Sequence, residues 1–148
     1  MTRETFIHAA LTFLHVPYIW GGDDPIRGLD CSGLAQELLA ILGLDQAGDQ
    51  TAHALYQHML KTGADGVIDT GSLVFYGTKQ SVSHVGMILQ GDIMIEAGGG
   101  GSKTTSEQAA IDQNAFVRLR PFTRRKDLVG VWQPQGLPWS VPRATRVG

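Results

Sequence analysis

The sequence predicts an α+β domain in which N-terminal helices pack on a central antiparallel sheet of about five strands. Three observations carry that prediction. Up to about residue 61, apolar residues recur at three- and four-residue steps, the period of a helix with one buried face. After Gly63 the period changes, and the apolar runs become short, rich in β-formers and separated by turns. Between two of those runs stands Gln90-Gly91-Asp92, a hairpin signal that makes its flanking strands antiparallel neighbours.

The first helix is expected over residues 4–15, with Phe6, Ile7, Ala10, Leu11, Phe13 and Leu14 as its apolar stripe, Thr2 or Thr5 as cap and Pro17 as its end. Residues 18–30, dense in Gly, Asp and Pro, read as a loop. The second helix, 31–42, is apolar on most sides and therefore buried, with Gly43 as its stop. A polar loop over 45–50 leads to a third helix at 51–61, with Leu55, Met59 and Leu60 inward. The five strands are expected at 73–76, 85–89, 93–97, 116–120 and 128–132. Residues 1–133 form one domain in this reading. Residues 134–148, with three prolines, form a surface-hugging or disordered extension.

The chain has 148 residues, 43% of them hydrophobic and 18% charged, the make-up of an ordinary globular domain. A net charge of −2 gives no electrostatic case for nucleic acid or an anionic membrane. No apolar run is long enough to span a bilayer, and the N-terminus lacks the basic-then-apolar build of a secretory signal. The expectation is synthesis in the cytoplasm without a signal peptide. A single cysteine excludes an intramolecular disulfide.

That cysteine, Cys31, stands between a glycine-rich segment and a helix-forming run, with Asp30 and Ser32 on either side. A thiol in the first turn of a helix feels the partial positive charge of unpaired N–H groups, which favours the nucleophilic thiolate. Such a nucleophile needs a base. Of five histidines, His8, His15, His53 and His58 lie on helices and read as surface or half-buried polar residues. His53 and His58 are five apart, off a common helix face, so no metal site is expected. His84 leads into a strand, where its ring is fixed by a rigid element. Glu96, across the hairpin and roughly opposite, is the expected orienter: a carboxylate there fixes the imidazole tautomer and stabilises the imidazolium.

Together, Tyr18-x-Trp20-Gly21-Gly22, Asp30-Cys31-Ser32-Gly33-Leu34, Gly71-Ser72-Leu73-Val74-Phe75 and Ser83-His84-Val85-Gly86-Met87 resemble the NlpC/P60 family of bacterial and phage cell-wall cysteine peptidases. The match covers nearly the whole chain, with the motifs in the family's order. The resemblance implies a reduced papain-like fold and an endopeptidase acting on peptidoglycan stem peptides, typically between γ-D-glutamate and a diamino acid. It makes Cys31 the nucleophile, His84 the base and Glu96 the third member of the triad, with no cofactor. It places Tyr18 beside the oxyanion and Trp20 at the substrate site. Asp30 and Ser32 fall where some relatives grip the free amino end of the stem. The sequence departs from the family pattern at Glu96, usually His, Asn or Gln, and at Ser72, usually Asp. The compact size and glycine run are similar to phage-encoded members, which implies action on the wall after delivery by a phage tail or lysis system.

Two segments are set aside. Residues 97–104 look like a phosphate loop, but Ala97 and Ser102 occupy two of its glycine positions, so a flap beside Glu96 is expected instead. The cluster Arg118, Arg120, Arg124, Arg125 and Lys126 reads as a solvated rim rather than a binding patch, with a grip on acidic stem peptides or teichoic acid as the alternative. Two other functions remain open on the residues: a tail or assembly component that keeps the fold without turnover, and an amidase or acyltransferase using the same Cys–His chemistry on other substrates.

Overall fold

The computed structural model describes residues 1–140. Helix α1 (Arg3–Leu11) begins where the Thr2 hydroxyl accepts the Thr5 N–H, an otherwise unpaired first-turn donor, and it buries Phe6 and Ala10. It ends a turn earlier than its periodicity predicts. His15 takes a left-handed conformation (φ 72°) and gives its N–H to the Val117 carbonyl instead of extending the helix. The glycine-rich loop that follows contains a two-residue ladder, β1 (Asp23–Asp24) against β2 (Gly28–Leu29).

Helix α2 (Cys31–Ile41) is buried along most of its length, as its composition predicts, and Gly43 just past its end has the left-handed φ of 72° that stops it. Helix α3 (Ala52–Thr62), capped by Thr51, turns Leu55, Tyr56 and Met59 inward. Leu60 lies on the exposed side, contrary to the inward position expected for it, because the buried stripe 52, 55, 56, 59 leaves residue 60 on the outer face.

The strands are β3 (Ala64–Asp65), β4 (Leu73–Thr78), β5 (Ser81–Gln90) and β6 (Ile93–Gly98), then, after helix α4 (Glu107–Gln113), β7 (Phe116–Pro121) and β8 (Leu128–Gln133). They form one antiparallel sheet in the order β3-β8-β4-β5-β6-β7. The sheet has six strands rather than about five because Ala64 and Asp65 pair with Gln133 and Trp132 at one edge. A run of two residues carries no alternation to read. Helix α4, between β6 and β7 where no element is expected from the sequence, is seven residues long, capped by Ser106 and closed by Asn114 at φ 53°.

Both faces of the sheet are covered. On one side Leu73, Phe75, Val85, Met87 and Ile95 meet the helices through Phe6, Leu34, Leu38 and Leu55. On the other, Val74, Tyr76, Ile88, Met94 and Val131 are closed over by Phe122, which sits in a short turn after β7. This is why the central strands read as continuous apolar runs rather than alternating ones. Tyr56, Phe75 and Trp132 pack edge-on with centroids 5.3–5.9 Å apart, each contact adding about 0.5–1.5 kcal/mol beyond the area it buries. Residues 134–140 run back across the helical side. Leu137 is buried, and the Trp139 indole donates to the Thr70 carbonyl at 3.0 Å while its ring lies 5.8 Å from Phe6. The remainder of the expected extension, 141–148, lies outside the described residues. Among the described residues no helix is long and apolar enough to cross a membrane.

Candidate active site

Cys31 is the first residue of α2, and the turn before it is fixed by three neighbours. Oδ1 of Asp30 caps the helix by accepting the Gly33 N–H at 2.7 Å, and the Ser32 hydroxyl donates to the same oxygen at 3.2 Å. Gly33 has no side chain because a Cβ there would overlap the Gly22 carbonyl oxygen. The glycine loop therefore lies directly on the first turn of α2. Cys31 is 9% exposed.

His84 comes from β5, two residues beyond the point that faces Glu96. The β5–β6 ladder pairs Met87 with Ile95, and in that register Glu96 lies opposite Gly86, where a Cβ would fall 3.6 Å from its own. The roughly opposite placement expected is thus a diagonal one, and glycine at 86 leaves the space the diagonal needs. Nε2 of His84 and Oε1 of Glu96 are 2.7 Å apart, both side chains almost wholly buried. Burial alone would push the imidazole down. Hydrogen bonding to Cys31 and Glu96, with the charges of both, outweighs burial and raises His84 to about 9.

Glu96 has a second partner. Arg118, directly across the β6–β7 ladder, donates Nε–H to Oε2 at 3.2 Å, and Nε of Arg120 stands 4.0 Å from the same oxygen. Burial works to raise the carboxyl, but His84 and Arg118 win, and Glu96 is held below the usual carboxylate range. Gly98 makes room for this: a Cβ there would lie 2.8 Å from Arg118 Nη2 and 3.0 Å from Glu96 Oε2. The arginines at 118 and 120 are therefore not the solvated rim expected of them. Alternation along β7 turns both onto the Glu96 face. The signal for Arg118 was that pairing, which needs the strand register and not composition.

Tyr18 is buried, with its N–H on the Ala115 carbonyl. Its hydroxyl is raised above the usual phenol range by burial first, then by the charges of Cys31 and Asp30. The glycine run does not stand free beside Glu96 as a flap: at Gly100 it presses on the Tyr18 ring so closely that a Cβ would overlap it. Trp20 is 54% exposed, anchored by its backbone to the Thr104 carbonyl at 2.7 Å. His53 accepts the Val82 N–H on Nδ1 at 3.0 Å and so tethers the start of β5, while His8 and His15 are exposed. Among the described residues no group of three or more His, Cys, Asp or Glu side chains is placed to hold a metal ion.

Residues 15–120 match the model of the NlpC/P60 family. The chain belongs to that family. The NlpC/P60 chain is 33% identical over 90 residues to the bifunctional muramidase/DL-endopeptidase CwlT of Bacillus subtilis, a stretch covering 58% of this chain and 26% of CwlT. It is 31% identical over 97 residues to the probable endopeptidase YafL of Escherichia coli, covering 64% of this chain and 39% of YafL. It thus spans well under half the length of these curated relatives. Its fold is similar to the NlpC/p60 domain of the peptidoglycan hydrolase SagA, with a TM-score of 0.62 at 23% identity over 90% of this chain and 99% of that one. The P60 domain of the antigen MAP1204 from M. avium subspecies paratuberculosis gives 0.61 at 24% identity, covering 89% of this chain and 93% of that domain. These likenesses are to an α+β, papain-like fold.

Proposed function

We propose that this NlpC/P60 domain is a cysteine endopeptidase of peptidoglycan stem peptides, with Cys31 as nucleophile, His84 as acid and base, and Glu96 as orienter. The observation that carries the reading is the 2.7 Å His84–Glu96 pair, which keeps an imidazolium beside a thiol at a helix N-terminus. Cys31 attacks the amide carbon as thiolate, forming the C–S bond. The oxyanion is met by the Cys31 backbone N–H, which has no partner within the helix, and by the Tyr18 hydroxyl. His84 gives its proton to the amide nitrogen, the C–N bond breaks and the amine leaves. A water then loses a proton to His84 and attacks the thioester, releasing the acid and restoring the thiolate.

The bond we assign is γ-D-glutamyl to diamino acid, on the family resemblance and on the DL-endopeptidase name of CwlT. Asp30 and Ser32 are the side chains we assign to the stem's free amino end. With Oδ1 of Asp30 committed to the helix cap, the amino group meets the other oxygen. Trp20 supplies an exposed apolar wall beside them. Delivery by a phage tail or lysis assembly belongs to this reading through the same resemblance. The division into a 1–133 domain and an extension, read from the prolines of the tail, belongs to it too, with 134–140 packed back on that domain.

Digestion of purified muropeptides, with Cys31→Ala as control, tests the reaction. A new free amine on the diamino acid is expected, and intact stems would sink it. Labelling of Cys31 by iodoacetamide near pH 6, lost in His84→Ala, separates the enzyme from a scaffold with an ordinary thiol.

A further inference from the structure

The sheet face turned away from the helices carries a cavity of about 190 Å³. The strand register builds it. Tyr76 pairs with His84, Met94 with Arg120 and Glu96 with Arg118, so alternation gives all of these side chains to one face. Arg124 and Arg125, from the turn after β7, complete the lining. We propose that this cavity binds a dianionic phosphate group, free or at the end of a larger molecule. None of Cys31, Tyr18 and Trp20 lines it, and Cys31 belongs to the core on the helical side. The proposal therefore stands apart from the peptidase reading and does not rest on it.

The charges around the cavity do not balance. Arg118 gives its Nε–H to Glu96, whose other oxygen serves His84. Arg125 is held by both oxygens of Asp127, at 2.9 and 2.7 Å, and lies 4.9 Å over the Tyr76 ring. Arg120 comes only to 4.0 Å from Glu96, too far for a hydrogen bond. Arg124 makes no ion pair among the described residues. Four cations thus face two carboxylates, and the two left over are Arg120 and Arg124. The crowding registers on Arg120, which burial lowers from the usual guanidinium value and which Arg118 and Arg124 lower further.

The crowding is imposed by the fold. Phe122 anchors the turn that carries Arg124: its ring is buried in the cluster of Val74, Ile88 and Val131. Its N–H goes to the Asp92 carbonyl at 2.9 Å, and its own carbonyl accepts the Tyr76 hydroxyl at 2.6 Å. Arg118 and Arg120 are fixed on their strand by register. Packing therefore brings these cations together before any ligand arrives, which lowers the cost of ordering a site. Guanidinium forks match phosphate oxygens with parallel hydrogen bonds, and a charge near −2 answers an excess of two. A single carboxylate or a phosphodiester would leave half of that excess. At roughly 30 Å³ for each liquid water, the space admits a phosphate with a small alcohol on it.

Titration with inorganic phosphate, methyl phosphate and dimethyl phosphate, followed by phosphorus NMR near pH 8, tests this on the full chain. The first two are dianions there, and the third models a phosphate inside a polymer chain. The dianions should bind about tenfold more tightly than dimethyl phosphate, the worth of one charge-assisted hydrogen bond. Arg120→Gln and Arg124→Gln should each weaken methyl phosphate by about the same factor. Arg124, exposed on the rim, serves as the probe if the Arg120 variant fails to fold. Lys126→Gln, outside the cavity, should leave binding unchanged, and so should Cys31→Ala. Absence of dianion binding, equal or better binding of the diester, or affinity that survives the Arg124 change overturns the proposal. Loss of binding in Cys31→Ala overturns it as well, since the anion would then sit at the thiol. No readout here requires turnover, so the pocket and the peptidase stand or fall separately.

Discussion

Glu96 divides its two oxygens between the candidate base and an arginine, and each half of that arrangement has its own pH signature. His84 is raised to about 9, so its proton is present below that pH and lost above it. Glu96→Gln keeps an acceptor for Nε2 but removes the charge. The alkaline limb of kcat/KM should then move acidward by at least about one pH unit, with a rate loss on the order of 10²-fold, read from muropeptide cleavage across pH. Glu96 itself is lowered from 4.5, so the stability it confers is fully present above that value and is lost as pH falls through the depressed one. Arg118→Gln removes one of the causes of the depression. Its acid-unfolding midpoint by circular dichroism should therefore move to higher pH. The burial of Glu96 was readable because it follows Met94 on a strand of otherwise apolar residues. Its partner Arg118 was not, because a charge cluster looks the same from composition whether it is solvated or folded over a carboxylate.

At the level of elements, α2 is set by its cap and by one close approach. Asp30→Ala removes the acceptor of the Gly33 N–H and should cost about 1 kcal/mol in urea unfolding, with slower Cys31 alkylation as the first turn frays. Gly33→Ala forces the glycine loop off the helix, and overpacking of this kind costs about 1–3 kcal/mol. The same substitution should loosen Tyr18 and Trp20, which share that loop, so activity should fall further than stability. Helices α2 and α3 were legible because each carries the helical period over about three turns, and the long strands because each is an unbroken run of β-formers between turn residues. Helix α4 and strand β3 were not, since α4 buries only Ala110 and shows no apolar stripe, and β3 has only two residues. The early end of α1 was hidden as well, because it depends on a hydrogen bond from His15 to the distant β7.

Across the whole molecule, residues 134–140 tie the end of the chain to its beginning. Trp139 rests on Phe6 and Thr70, and Arg3 in α1 grips Asp69 with two hydrogen bonds in the turn before β4. Truncation after Gln133 should lower the unfolding free energy by about 1.5–3 kcal/mol for Leu137 alone. Trp139→Ala should remove part of the same sum, and chemical denaturation of both variants checks the order. Proline content marked this stretch as non-regular, but nothing local in it announces burial, which depends on the surface made by α1 and the Thr70 turn.

The Glu96–Arg118 rung carries a consequence for how the protein matures. A slip of one position between β6 and β7 would turn one partner to the opposite face of the sheet and break the pair, leaving most backbone ladder bonds remade. Ordinary spectroscopic probes of sheet content would hardly register such an error, whereas an active-site alkylating reagent would. Alkylation of the thiol thus counts the chains in which β7, returning after α4, has closed on β6 in the correct alignment.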